Sequence, residues 1–125
     1  MAELGRLLTA MITPFDEDQN VDYPQARKLA KSILDSGTDG LVIGGTTGES
    51  PSMSDDEKIR LFAEVKEEIG ERGAVIAGST DNNYRKSVEL SQEAAKVGVD
   101  ALLLTVPAYN KPPMEGLYQH FKGIA

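Results

Sequence analysis

Val42-Ile43-Gly44-Gly45-Thr46-Thr47-Gly48-Glu49-Ser50-Pro51 carries an apolar run, Leu41-Val42-Ile43, straight into a turn rich in glycine and hydroxyls. A helix is expected from about Ser54. In a parallel α/β sheet, ligands bind where strands end and helices begin. Gly44, Gly45 and Gly48 let the backbone approach a ligand closely or turn through positive φ. Thr46 and Thr47 place two hydroxyls and two amide N–H donors at one point. The stretch therefore reads as a strand, an anion-holding loop suited to a carboxylate, and a helix. A plain strand-to-helix turn with capping threonines is the alternative. The Gly-Lys-Ser/Thr ending of a phosphate loop and the full GxGxxG spacing are both missing, which argues against a nucleotide.

The same alternation extends in both directions. Arg6 to Phe15 is apolar and β-branched up to Pro14, and predicts a buried first strand. Asp22-Tyr23-Pro24-Gln25 is a helix start, and Ala26, Leu29, Ala30, Ile33 and Leu34 follow one helical face until Gly37. Asp39 to Ile43 is the second strand. Ser54-Asp55-Asp56-Glu57 is a capping box with acid in the first turn. Phe62, Val65 and Ile69, with Ile59 and Leu61, give the buried stripe of that helix, which Gly70 and Gly73 end. Ala74 to Ala77 is a third strand closed by Gly78-Ser79-Thr80, and a third helix runs from about Asn83 to Val97, where Gly98 stops it. Asp100 to Val106 is a fourth strand. A loop with three prolines, Pro107 to Pro113, leads to a fourth helix from Glu115 to Ala125. Gly37-Thr38-Asp39-Gly40-Leu41 is faintly echoed by Gly98-Val99-Asp100-Ala101-Leu102, two βα units later.

Residues 1–125 thus read as one unit of four βα repeats, with strands apolar enough to be buried on both faces of a parallel sheet. Two architectures fit: half of a (β/α)8 barrel, which typically needs about 250 residues, or a flavodoxin-like open sheet with helices on both faces. The sequence ends inside the fourth helix with no cap, as expected of a truncated barrel.

Bulk properties narrow the function. A formal net charge of -7 over 125 residues argues against nucleic acid. The absence of cysteine fits a reducing compartment. No apolar run approaches the roughly 18 residues of a membrane span, and the first residues lack a signal-peptide pattern, so a cytoplasmic location is expected. The single histidine, His120, lies far in sequence from any Cys/His/carboxylate cluster. No metal or cofactor is expected, and His120 reads as a surface or interface residue. Tyr84, Tyr118 and Phe121 read as packing residues.

Three segments resemble the dihydrodipicolinate synthase family: Leu8-Thr9-Ala10-Met11-Ile12-Thr13-Pro14-Phe15, the Gly44 to Pro51 loop, and Pro107-Ala108-Tyr109-Asn110-Lys111-Pro112, continued by Glu115-Gly116-Leu117-Tyr118-Gln119-His120-Phe121. The likeness covers the whole chain but only the N-terminal half of the family's barrel. The GTTGE run marks the wider group of Schiff-base lyases, including N-acetylneuraminate lyase and sugar-acid aldolases. The Tyr-Asn-Lys-Pro run points to the synthase.

The resemblance implies an oligomeric (β/α)8 barrel that condenses pyruvate with aspartate semialdehyde through an imine on a lysine of the sixth strand. It implies that Thr47 and the Thr46 amide hold the pyruvate carboxylate. Thr46 and Tyr109 would join a proton relay, Tyr109 in the partner subunit's site. Gly45, Gly48 and Glu49 would shape the loop, Glu49 as a carboxylate satisfied by backbone N–H groups. It also implies a damaged lysine-effector site: Asn82 matches a ligand, but Lys86 and Ala108 stand where a glutamate and an aromatic are expected.

An imine-forming lysine must be partly neutral near pH 7 and needs burial or a nearby cation. Lys28, Lys31, Lys58, Lys66, Lys86, Lys96 and Lys122 fall on expected helices and Lys111 in the proline-rich loop. The imine lysine is therefore expected outside this chain, which alone reads as inactive. A half barrel also exposes two sheet edges and an apolar interior, so self-association is expected.

Overall fold

The computed structural model describes residues 3–125. Strands and helices alternate: β1 (Leu8–Ala10), α1 (Tyr23–Asp35), β2 (Gly40–Ile43), α2 (Asp55–Ile69), β3 (Ala74–Gly78), α3 (Tyr84–Val97), β4 (Ala101–Leu103) and α4 (Met114–Ile124). The helix starts follow from local chemistry. Asp22 accepts the Gln25 N–H and Asn83 accepts those of Arg85 and Lys86. Ser54 and Glu57 form a reciprocal capping box ahead of three acids in the first turn of α2. Gly98 closes α3 in the left-handed conformation, φ +89°.

All four strands are parallel and lie in the order β1-β2-β3-β4. Strictly sequential order is what a barrel requires. A flavodoxin-like sheet places its second strand outside the first, so the open-sheet alternative is set aside. The helices form one layer, with α1 against α2, α2 against α3, and α3 against α4. Leu41, Ile43, Val75 and Ala77 alternate toward that layer. They meet Ala26, Ala30, Leu34, Leu61, Phe62, Val65, Ile69, Leu90 and Ala94 in a single core. The opposite, barrel-lumen face carries Leu8, Ala10, Val42 and Leu103, of which Leu8 is 38% and Leu103 41% exposed. This is half of a (β/α)8 barrel with its interior face open.

Polar contacts add order between layers. Arg27 of α1 donates to Glu64, Glu67 and Glu68 of α2, each at 2.9 Å. The Arg60 guanidinium lies 3.9 Å from the centroid of the Tyr23 ring. At the N-terminal end of the sheet, Asp39 accepts the N–H groups of Arg6 and Leu7 at 2.7 and 2.8 Å. One repeat later, Asp100 accepts the Val75 N–H and the Lys66 ammonium, both at 2.8 Å. Each aspartate fastens its strand to the start of the strand before it, so the faint sequence echo marks a repeated clasp.

β1 and β4 are shorter than the apolar runs that foreshadow them. Beyond Ala10 only the Met11 N–H to Val42 carbonyl bond, 3.0 Å, continues the ladder. The chain then turns so that Phe15 bridges Val21. Beyond Leu103 the backbone leaves the sheet, and the Thr105 N–H goes to the Thr80 hydroxyl at 2.8 Å.

Candidate active site

The turn after β2 is built by backbone geometry. Gly44 has φ +66° and Glu49 φ +55°, both left-handed. The Glu49 N–H returns to the Thr46 carbonyl at 3.1 Å and the Ser50 N–H to the Gly45 carbonyl at 3.3 Å. The buried Thr13 hydroxyl donates to the Gly48 carbonyl at 2.6 Å, tying the turn to the segment after β1. Gly78, at the end of β3, has no room for a side chain. A Cβ there would overlap the Gly44 carbonyl and stand 2.9 Å from the Gly45 nitrogen. β3 therefore presses directly on the turn.

Thr46 and Thr47 are exposed, and neither hydroxyl has a hydrogen-bond partner among the described residues. Both are free to meet a ligand. The Glu49 side chain is also exposed and accepts no backbone N–H there. Its observed part is the left-handed turn and not the N–H network expected of it.

The loop after β4 comes to the same end of the sheet. Asn82 clasps it from the loop after β3: its side-chain N–H donates to the Ala108 carbonyl at 3.2 Å, and its Oδ1 accepts the Ala108 N–H at 2.7 Å. Tyr109 follows with φ +64° and a fully exposed side chain. A left-handed tyrosine is strained. This one projects away from the core. Between the loops lies a cavity of about 330 Å³, with Gly44, Gly45 and Thr46 on one wall and Thr80, Asn82 and Thr105 on another. Thr46 reaches it. Thr47 and Tyr109 do not line it.

Four residues depart from their sequence reading. His120 is 8% exposed, not a surface residue. Its Nε2 lies 3.2 Å from the Thr105 carbonyl, which makes that nitrogen the donor, and its ring faces Tyr84. It holds α4 against the strand end. Tyr84 and Tyr118, expected to pack, remain 45% and 57% exposed. Lys58 was grouped with the helix lysines but is only 4% exposed and lines the cavity. The signal lay in spacing: Lys58, Leu61, Phe62, Val65 and Ile69 follow one helical stripe. Lys86, at the position where the resemblance implies an acid, stands 3.8 Å from Asp55. None of the eight lysines lies in a strand. Among the described residues, no group of three or more His, Asp or Glu could hold a metal ion, and no helix is long and apolar enough to cross a membrane.

Comparison with known proteins fits this arrangement. The Dihydrodipicolinate synthetase family model matches residues 3–125. The chain belongs to this family. It is 59% identical over 125 residues to a 4-hydroxy-tetrahydrodipicolinate synthase of Dehalococcoides mccartyi, covering all of this chain and 42% of the relative. It is 58% identical over 121 residues to the synthase of Moorella thermoacetica, covering 97% of this chain and 41% of that protein. A crystal structure of a dihydrodipicolinate synthase from Bacillus anthracis superposes with a TM-score of 0.95 at 47% identity, over 99% of this chain and 42% of that one. The chain thus spans about two fifths of the length of the synthetase-family relatives it matches.

Proposed function

We propose that this chain supplies the pyruvate-carboxylate clamp of a Schiff-base lyase that condenses pyruvate with aspartate semialdehyde in lysine and diaminopimelate synthesis, in the cytoplasm. In this reading the Thr47 hydroxyl and the Thr46 amide hold the carboxylate. The Thr46 hydroxyl and Tyr109 pass protons, Tyr109 acting in a neighbouring subunit. The carrying observation is the pair of unpartnered hydroxyls, Thr46 and Thr47, at the C-terminal end of β2 beside a cavity. A free hydroxyl and a backbone N–H are what a carboxylate needs from a preorganised site. Family membership supports the same substrates.

The imine lysine is assigned to the part of the relatives that this chain does not cover, so the chain alone is inactive. Reconstitution tests this: the chain is co-expressed with the uncovered C-terminal portion of the Dehalococcoides mccartyi synthase. Condensation activity should return, and T47A and T46V in this chain should each lower it by at least about a hundredfold. Full activity in both variants would refute the clamp.

A second reading is favoured by the open lumen face, where Leu8 and Leu103 remain exposed between two unpaired strand edges. There the chain is a scaffold that self-associates. Sedimentation at micromolar concentration should show a dimer or larger, and a clean monomer would rule this out.

A further inference from the structure

The sheet leaves its two outer strands unpaired on one side, β1 at one edge and β4 at the other. On the lumen face the pairing aligns Leu8, Ala10, Val42, Ile76 and Leu103. Leu8 and Leu103, one at each edge, stay 38% and 41% exposed. Free edges and exposed apolar faces drive association. The chain exposes 7687 Å² in all, whereas a folded monomer of 13.5 kDa shows about 6,500 Å². The excess of about 1,200 Å² is more than the roughly 800 Å² that each partner buries in a stable pair.

The internal repeat says how the edges can meet. Asp39 precedes β2 and holds the backbone before β1, and Asp100 precedes β4 and holds the start of β3. The pairs β1-β2 and β3-β4 are therefore equivalent, and β2-β3 is the junction between them. In the echoed segments Gly40 corresponds to Ala101, and so Val42 to Leu103. Leu8 stands opposite Gly40 and Ile76 opposite Ala101, so Leu8 corresponds to Ile76. At the β2-β3 junction Val42 stands opposite Ile76. The same junction made by β4 sets Leu103 opposite Leu8 of another copy.

That register closes a barrel. Crossing the strands in line from Leu8 leads to Gly40, Ala74 and Val99, and through the new junction to the partner's Leu4. The path slips from position 8 to position 4, and the return crossing slips as far again. Eight strands with a stagger of about eight residues are the geometry of a (β/α)8 barrel.

We propose that the lumen face docks a second copy of this chain, with β4 of each copy parallel to β1 of the other and Leu103 opposite Leu8, closing an eight-stranded barrel. It rests on the self-association reading and adds the geometry of contact. Each copy brings Leu8, Val42, Ile76 and Leu103 to the interior, branched apolar residues of the kind that fill such a barrel. A two-fold axis makes both junctions identical, so assembly stops at two copies.

The chain has no cysteine, so introduced thiols report the junction without background. Residues opposite one another on paired strands lie about 4.8 Å apart, within disulfide reach, while residues offset by two positions lie on the order of 8 Å apart, beyond it. Two variants are in register, L8C/L103C and R6C/A101C, and L8C/A101C is offset. The parent should sediment as a dimer at micromolar concentration. Under mild oxidation both in-register variants, with their fold checked by circular dichroism, should give a covalent dimer that reductant reverses. Its yield should be at least about tenfold that of L8C/A101C or of L8C alone. A clean monomer would leave the face to another occupant and overturn both readings. A dimer with no covalent product from either in-register variant, equal product from L8C/A101C, or a series of longer covalent chains would overturn this register and closure while self-association stands.

Discussion

Thr13 donates its hydroxyl proton to the Gly48 carbonyl oxygen at 2.6 Å, and both residues are buried. The bond joins the segment after β1 to the middle of the turn after β2. It holds the turn that presents Thr46 and Thr47. Sequence reading gave Thr13 no role beyond the first apolar run, because its partner lies 35 residues away.

Thr13→Val keeps the shape and removes the donor. The Gly48 carbonyl would then be buried without its partner, at a cost of about 1–3 kcal/mol. Urea unfolding should show this loss. Amide exchange at Glu49 and Ser50 should accelerate more than exchange in β3, because the turn is loosened locally. Uniform acceleration across the sheet would mean that the bond only adds global stability.

The two aspartate clasps predict an acid limb. Backbone N–H groups of Leu7 and Arg6 hold the Asp39 carboxyl below its ordinary pKa. Burial pushes Asp100 upward, but hydrogen bonds from Lys66 and Val75 outweigh it and leave its pKa lowered. A carboxylate with a depressed native pKa stabilises the fold fully above its unfolded value of about 3.9, and that contribution is lost as pH falls through the native value. Stability should therefore drop below about pH 4, and the double variant D39N/D100N should have a flatter profile there. Separately, D100A should cost about 1–3 kcal/mol at neutral pH, since it leaves the Val75 N–H and Lys66 unpaired. Parallel acid limbs in parent and double variant would dissociate the clasps from acid sensitivity.

Lysine should be a poor inhibitor of the reconstituted enzyme. Asn82, which the resemblance implies as an effector ligand, has both polar ends committed to the Ala108 backbone. Lys86 and the buried Lys58 bring positive charge to the same region, which opposes a cationic side chain. An inhibition curve should stay flat through millimolar lysine. Strong inhibition would show that Asn82 exchanges Ala108 for the effector.

The alternation of elements was legible because each helix carries its own start and stop, as at Ser54–Glu57 and Gly98. The choice of a barrel over an open sheet came from the family resemblance and not from that alternation. Strand order depends on which strands pair, and apolar runs alone do not encode it. Strand lengths were overread at Arg6–Phe15 and Asp100–Val106, where residues beyond the ladder serve the loops that shape the site. The exposure of Thr46 and Thr47 at the end of β2 was legible from a local glycine pattern. Lys58 was missed although its place on the α2 stripe signalled burial, and His120 because its burial is imposed by distant partners, Thr105 and Tyr84.

The most direct measurement is borohydride reduction of the isolated chain in the presence of pyruvate, followed by intact-mass and peptide analysis. No lysine lies in a strand, and the lysine that lines the cavity, Lys58, stands in the first turn of α2. The chain should retain its unmodified mass, while a full-length synthase treated in parallel gains one reduced pyruvate. A pyruvate adduct on any lysine of this chain, Lys58 above all, would contradict the assignment of the imine lysine to the part of the barrel that this chain does not cover.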